Sequence, residues 1–340
     1  MSFALRCILK EARYVQIFSV QQQRYLKRWL APTLKAMYKR KERHEYLYGP
    51  IPIPKRSAFL EWNFGSEVFA FGKRLGEQFD DNLLRQAFTQ ADYLHKISEE
   101  QKNLGLENPD SVLVSSNEEL AREGRELISQ YVFGFLRHTL KKLPEEGVRS
   151  IHDKLLGDEM LAHISKNLGT KDIILTAEHE PSEGTYSKVF CAIVAALSRS
   201  STADRTGGFI RDFVLAQLAE NSLAEFYIPE KPWATLEALC PGVEARLANA
   251  EGHGTIMAAY RVAVFNKDKL FLGEGFGETV KVAKNLASVD ALNKMFEIHD
   301  ARSPLPLGPN ECPKIEEIGL KMNNPNPAIN ELTPNIVRLG

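Results

Sequence analysis

Hydrophobic residues in the first two thirds of the chain recur at the 3.6-residue spacing of α-helices. Between Val68 and Tyr93 they fall at Phe71, Leu75 and Phe79 and then at positions 83, 84, 87 and 88. Helical spacing continues over 117–142, 146–156, 158–167, 184–199 and 205–223, and the alternation typical of strands is almost absent before residue 230. We therefore predict an all-α domain over residues 62–228, preceded by an extended linker at 49–57 (GPIPIPKRS).

The pattern changes after residue 224. Residues 224–232 are typical of a linker, and a short helix is predicted over 233–240. Three strand-like segments follow at 244–250, 260–266 and 269–274, where Tyr260, Val262 and Val264 alternate with residues of the other face. A last helix is predicted from about Thr279 to Phe296, with an apolar face at positions 282, 283, 286, 287, 289, 292 and 295 or 296. The order α-β-β-β-α predicts a small α+β domain over 231–298.

The two ends of the chain have their own composition. Residues 1–45 hold eleven Lys or Arg and three acids, although the whole 340-residue chain has a net charge of −1. Residues 1–30 lack a continuous apolar run and are typical of a mitochondrial presequence, which predicts localisation in the matrix. The following basic arm and linker (31–61) contains Lys35–Arg43, which is either a nucleic-acid-binding arm or a solvated charge run. Residues 299–340 are rich in Pro and Asn and predict an extended tail.

The remaining composition points away from metal and membrane functions. The four cysteines lack zinc-site spacing, which favours free thiols in a reducing compartment. No apolar run approaches the ~20 residues that span a membrane. The eight histidines show no Ser/His/Asp order, and we interpret His152, His163 and His179 as core or surface residues. We predict no cofactor.

Three helical segments resemble ribonuclease III. Residues 117–128, NEELAREGRELI, match its signature N-E-R-L-E-F-L-G-D-A-V-L at Asn117, Glu118, Leu120 and Gly124. The opening helix pair L-G-x-x-F-x-x-x-L-L-x-x-A-[FL]-T-H-x-S-Y matches at residues 75, 76, 79, 83, 84, 87, 88, 89 and 93. Residues 187–196, SKVFCAIVAA, are similar to the segment A-D-V-F-E-A-L-I-G-A. The resemblance implies a ribonuclease III-like fold, in a family whose active members are dimers.

The same alignment implies that the chemistry of the family is absent. The four carboxylate positions that hold magnesium in the family are Ala121, Arg125, Lys188 and Cys191 in this sequence. A Mg²⁺ site needs oxygen ligands, chiefly carboxylates, and two of these four positions carry positive charge. We therefore predict a domain with no catalytic residues and no metal.

The segment from Gly273 to Lys284 resembles the third strand and second helix of double-stranded RNA-binding domains. In that family, lysines at the helix start contact phosphates, and a histidine lies in the loop after the first strand. The resemblance implies RNA contacts at Lys281, Lys284 and His253, whereas Val280 stands where the family has another lysine. Residues 231–298 hold eight basic and eight acidic residues, which predicts weak binding of free duplex RNA. The alternative is a module that packs mainly on protein.

The combination of these features resembles a ribosomal protein of the mitochondrial large subunit. That resemblance implies a structural constituent that binds mitochondrial large-subunit rRNA and neighbouring ribosomal proteins. Two alternatives stay open at this point: a mitochondrial double-stranded RNA endonuclease, and a free RNA-binding or ribosome-assembly factor. A homodimer, a heterodimer with another ribonuclease III-like protein, and docking of that surface on the ribosome are also open.

Overall fold

The structure is a computed structural model that describes residues 30–49, 56, 59, 61–105, 115–178, 180–252, 255–308 and 311–332. The chain divides into two units, residues 1–59 and 60–340. In the first unit, helix α1 spans Leu30–Tyr48. The predicted presequence, residues 1–30, lies almost entirely outside the described residues. No helix in the described ranges has the length and apolar character needed to cross a membrane.

The second unit begins with the predicted helical domain. Its helices are α2 (Phe64–Leu75), α3 (Asp81–Phe88), α4 (Ala91–Asn103), α5 (Glu118–Thr139), α6 (Glu145–Leu155), α7 (Asp158–Asn167), α8 (Glu183–Ser200), α9 (Ala203–Ile210) and α10 (Gln217–Glu220). Short 3₁₀ turns lie at Thr170–Asp172 and Leu223–Glu225, and a π-helical segment lies at Arg211–Leu215. The last segment separates α9 from α10, where the sequence predicts one helix over 205–223. The other helices confirm the all-α prediction.

Helix α8 is the centre of this domain. All residues from Val189 to Leu197 are buried, so the helix is apolar on every side. A helix of this kind lies inside a protein rather than on its surface. Its start is fixed by Ser182, whose hydroxyl accepts a hydrogen bond from the backbone N–H of Thr185 at 3.3 Å. Helices α3, α5, α7 and α9 pack around it.

The second part of this unit has the predicted order α-β-β-β-α. It consists of α11 (Pro232–Leu239), β1 (Glu244–Glu251), β2 (Ala259–Phe265), β3 (Phe271–Gly277) and α12 (Val280–Met295). The strands form one antiparallel sheet in the order β1-β2-β3, with Val262 paired to Gly275. The order confirms the predicted α+β fold, and both helices lie on this sheet or on each other.

Small residues bring α12 close to β3. A Cβ placed on Gly275 would lie 2.2 Å from the backbone N of Ala287, and one on Gly277 would lie 2.7 Å from the N of Ala283. The predicted helix is correct, but two positions of its predicted apolar face are wrong. Val282 is 46% exposed and Leu286 is 47% exposed, because the alanines and not the large apolar residues face the sheet.

The tail also departs from the sequence prediction. Residues Ile315–Met322 form helix α13, and a 3₁₀ turn follows at Ile329–Glu331. Helix α13 packs on α5, where a Cβ on Gly134 would lie 2.5 Å from the Cγ2 of Ile318. Because Ile315, Ile318 and Met322 lie at helical spacing, they give this short segment one apolar side despite the prolines around it.

Hydrogen bonds to a buried ion pair hold the tail in place. The guanidinium of Arg137 donates to the Glu145 carboxylate at 2.6 Å, and the Arg137 and Glu145 side chains are 10% and 8% exposed. The same guanidinium donates to the carbonyl of Lys321 at 3.3 Å, while Glu145 accepts from the backbone N–H of Asn326 at 3.0 Å. The Asn326 amide in turn donates to the carbonyl of Leu143 at 2.8 Å. A large part of the predicted extended tail is therefore part of the fold.

Candidate nucleic-acid interface and ribonuclease-like site

The four positions of the family's carboxylates meet where α5 crosses α8. Ala121 and Arg125 lie on α5, and Lys188 and Cys191 lie on α8. The closest point of the crossing is Gly124, where a Cβ would lie 1.8 Å from the carbonyl oxygen of Cys191. The two backbones are thus in direct contact at this crossing.

The residues that match the ribonuclease III signature support the fold. Asn117 and Leu120 are fully buried, and the Asn117 amide donates to the carbonyl of Ala87 at 3.1 Å. Gly124 permits the helix crossing. These three positions keep the shape of the crossing, whereas all four of the family's metal-binding carboxylates are replaced.

Arg125 is held by an ion pair of its own. Its guanidinium donates to the Asp158 carboxylate at 3.1 Å and to the carbonyl of Leu156 at 3.0 Å. The hydroxyl of Ser187 donates to the same carboxylate at 2.8 Å. The hydrogen bond from Ser187, and after it the contact with Arg125, lower the pKa of Asp158, and the charge of Lys188 acts in the same direction. The Asp158 carboxylate is therefore paired with a cation of the protein.

The other two positions are apolar and enclosed. Cys191 is 1% exposed and Ala121 is 8% exposed. Burial raises the pKa of the Cys191 thiol to about 12, so it is a neutral side chain at physiological pH. Within the described ranges, no group of three or more His, Cys, Asp or Glu residues is placed to share a metal ion. These residues do not fit the metal that the active enzymes use, because they offer a cation, a methyl group and a protonated thiol in place of carboxylates.

Sequence reasoning missed the partners of Arg125. Asp158 lies 33 residues after Arg125, and Ser187 lies 29 residues after Asp158. Neither belongs to a local pattern, although Asp158 in the first turn of a helix is a common residue type at that position. The partners become visible only when α5, α7 and α8 come together.

The structure also brings together a serine, a histidine and an aspartate that the sequence does not group. The ring of His152 is 2.9 Å from the Ser129 hydroxyl through Nε2 and 3.0 Å from the Asp153 carboxylate through Nδ1. The ring stacks on Phe133 with centroids 3.7 Å apart, and burial lowers the pKa of His152. Ser129 lies in the interior of α5, where backbone N–H groups bond within the helix and offer no oxyanion site. The group is a packing arrangement, in agreement with the interpretation of His152 as a core residue.

The two other histidines give less information. His163 is exposed and lies 3.0 Å from the Asn167 side chain. His179 lies outside the described residues, as does His253, one of the three expected RNA contacts.

The two lysines of the terminal module have different surroundings. Lys281 is exposed in the first turn of α12, next to the N-cap Thr279, which accepts from the backbone N–H of Val282 at 3.3 Å. Lys284 is half-buried, with its Nζ 3.4 Å from the centroid of the Trp233 ring. The helix start favours anions, so Lys281 lies where a phosphate contact is expected, whereas Lys284 also packs within the module.

Helix α1 presents a second basic surface. Side chains 31–44 of this helix are exposed. Lys35, Lys39 and Arg43 follow one another at four-residue intervals and therefore share one face. An exposed apolar side, which includes Leu34 at 48% and Met37 at 63%, lies away from these cations. The arm predicted from the sequence is thus a helix with a basic stripe.

Comparison with known proteins gives the family. The family model described as "Large ribosomal subunit protein mL44, endonuclease domain" matches residues 63–197, and the one described as "MRPL44 dsRNA-binding domain" matches residues 230–332. The chain is 27% identical over 287 residues to the large ribosomal subunit protein mL44 of Caenorhabditis elegans, covering 82% of this chain and 71% of that protein.

Similar solved structures include a ribonuclease III domain and a Dicer. One is the nuclease domain of ribonuclease III from Campylobacter jejuni, with 20% identity, a TM-score of 0.34, and coverage of 44% of this chain and 95% of the other. The second is Dicer from Pichia stipitis, with 17% identity, a TM-score of 0.32, and coverage of 52% and 87%. The two family models account for most of the chain between residues 63 and 332, and the chain belongs to the mL44 family of large ribosomal subunit proteins.

Proposed function

We propose that this chain is a structural constituent of the mitochondrial large ribosomal subunit, where its ribonuclease III-like domain is a scaffold and not a nuclease. The observation that carries the proposal is the ion pair of Arg125 with Asp158, at 3.1 Å, in the place of a metal site. The ribonuclease III-like fold is retained, but the place of its metal site carries the guanidinium of Arg125, which repels metal cations. Because the chain belongs to a family of large ribosomal subunit proteins, we expect this scaffold to act within the ribosome.

The basic surfaces support contact with rRNA. Lys281 lies at the start of α12, and the cations of α1 lie along one stripe with a rise of about 6 Å between neighbours in the stripe. Lysine and arginine side chains in such positions neutralise phosphates and release counterions. Most of the stability of a helix in a protein comes from packing rather than from propensity, so α1 should gain stability from a partner that pairs with its charges.

The exposed apolar residues of α12 support contact with a neighbouring protein. Val280, Val282 and Leu286 are between 46% and 47% exposed and lie near the start of one helix. In a module that only bound duplex RNA, this surface would carry cations and not aliphatic side chains. We infer that the module contacts rRNA through Lys281 and protein through this apolar surface.

The mitochondrial setting rests on the first thirty residues. Their basic, amphipathic and acid-poor composition is typical of a matrix presequence. Deleting residues 1–30 is expected to leave the protein in the cytosol. Matrix location of the truncated protein would contradict this part of the proposal.

Two further expectations separate the proposal from its alternatives. A nuclease would cleave duplex RNA with Mg²⁺ or Mn²⁺, and we expect no cleavage above background. An assembly factor would leave the ribosome in high salt, and we expect the chain to sediment with the large subunit. Pairing with a second copy or with another ribonuclease III-like protein follows from the family resemblance, and sedimentation equilibrium of the purified chain tests it.

A further inference from the structure

A cleft of about 580 Å³ lies between the C-terminal end of α5 and the first part of the tail. Residues 138–142 line one side and residues from 297 to 306 line the other. Among its lining residues, Lys141, Lys142 and Arg302 carry positive charge, and Glu297 carries negative charge. The three cations outnumber the one acid in this lining, so the cleft attracts anions, on a body that otherwise has an excess of acids.

Arg302 alone among these three cations is both half-buried and without an ion pair in the described ranges, since Lys141 is exposed and Lys142 pairs with Glu297. It is half-buried, and burial lowers the pKa of its guanidinium. In the part of the chain that the structure describes, no carboxylate forms an ion pair with it, whereas Arg137 and Arg199 each pair with glutamates. A half-buried charge without a partner costs free energy. The fold carries this free-energy cost at Arg302, which also lines a second cleft of about 510 Å³.

The cleft walls beside Arg302 contain further polar groups that can bind a ligand. Lys142 donates to Glu297 at 2.6 Å, and an ammonium group has three donors, so two remain. Lys141 is exposed. The Nδ1 atom of His299 and the hydroxyl of Thr139 are buried without a hydrogen-bond partner among the described residues. Buried polar atoms normally have hydrogen-bond partners, and these two atoms in the cleft wall are exceptions among the described residues.

We propose that this cleft binds a phosphate group of an RNA backbone, with Arg302 as the main ligand and Lys141 and Lys142 as flanking charges. A guanidinium matches the oxygens of a phosphate in pairs, which an ammonium does not. The charges of the cleft indicate a phosphate group as the ligand. That this phosphate belongs to RNA rests on the proposed ribosomal function. The site is separate from Lys281, so the chain would hold RNA at the helical domain as well as at the terminal module.

Pyrophosphate and a short RNA duplex, titrated into the purified full chain, test the proposal. Calorimetry should give binding of pyrophosphate, and Arg302→Gln should weaken it at least about tenfold, since it removes a charge-assisted pair of hydrogen bonds. Arg261→Gln is the matched control: Arg261 is an exposed arginine paired with Glu274 outside the cleft, and its loss should leave the pyrophosphate affinity unchanged. For the duplex, Arg302→Gln should reduce the slope of log affinity against log salt by about one.

The outcomes are distinguishable from failure of the ribosomal proposal, because no ribosome is involved. Lack of pyrophosphate binding by the natural chain, or equal affinity in Arg302→Gln, would overturn the site. If Arg302→Gln loses pyrophosphate binding but keeps its affinity for the duplex and the salt dependence of that affinity, RNA is not the source of the bound phosphate. Binding of a polyglutamate peptide as tight as that of the duplex would replace phosphate by an acidic protein segment. If circular dichroism shows that Arg302→Gln does not fold, Lys141→Gln takes its place, with an expected weakening of about threefold.

Discussion

Gly124 on α5 lies directly against the backbone of Cys191 on α8. A Cβ at Gly124 would be 1.8 Å from the Cys191 carbonyl oxygen, far inside any normal contact. Gly124→Ala should therefore force the two central helices apart and cost about 3 kcal/mol or more of unfolding free energy. Urea denaturation measures this. Gly319→Ala is the control, because a Cβ there meets nothing within 4 Å and alanine in a helix should stabilise by about 0.5–1 kcal/mol. Equal stabilities of the two variants would contradict the close crossing.

Asp158 should make stability depend on acid pH. Its hydrogen bonds from Ser187 and Arg125 hold the pKa of Asp158 below its ordinary 3.8. A carboxylate with a lowered folded-state pKa stabilises the fold above its ordinary value, and this contribution is lost as the pH falls through the folded-state pKa. Asp158→Asn should thus lower the melting temperature at pH 6 and have a smaller effect at pH 2.5. An effect of the same size at both values would show that the charge is not responsible.

Breaking the buried pair under the tail should destabilise the chain strongly. Arg137→Met leaves the buried Glu145 carboxylate with only the exposed Arg149, 3.6 Å away, as a cation, which costs about 3 kcal/mol. The tail should also become sensitive to protease, since the carbonyl of Lys321 loses its donor and the carboxylate that accepts from Asn326 loses its main cation. Replacing both members of the pair, Arg137→Met with Glu145→Leu, should restore part of the stability. A double variant as unstable as the single one would argue against an unpaired charge as the cause.

The two lysines of α12 should respond differently to charge reversal. Lys281→Glu changes an exposed side chain, so the fold should be unaffected while RNA binding weakens. Lys284→Glu places a carboxylate against the Trp233 ring, and the lost cation–π contact should cost about 1–2 kcal/mol. Thermal unfolding and duplex binding of the two variants give the comparison. Equal losses of stability would mean that Lys284 does not pack as the structure has it.

The sequence predicts the helices well because large apolar residues at regular spacing dominate them. The exposure of Val282 and Leu286 on α12 is not predicted, since the close contact with the sheet is made by Gly275, which has no side chain, and Ala287, which has only a methyl group. Helix α13 escapes for a related reason: its apolar side is three residues long and lies among prolines. In both places, contacts between segments decide the structure rather than the local pattern.

The loss of the metal site can be predicted from the four residues at the carboxylate positions. The ion pair that replaces the metal site cannot be predicted from the sequence. Arg125 is paired with Asp158 across 33 residues of sequence, and no spacing rule connects them. Arg302 shows the same limit, because only the folded chain reveals that it is half-buried without an acidic partner among the described residues. Conversely, the roles expected of residues 1–30 and of His253 rest on the sequence alone and stay predictions.

A constituent of the mitochondrial large ribosomal subunit should stay bound to that subunit when the salt concentration is raised. Sedimentation of mitochondrial lysate on sucrose gradients, at low salt and again at about 0.5 M salt, tests it most directly, because high salt screens loosely held charged surfaces. We predict that the chain stays with the large subunit at both salt concentrations and in amounts equal to its neighbours. Release of the chain to the top of the gradient at high salt, with the large subunit intact, would contradict the account.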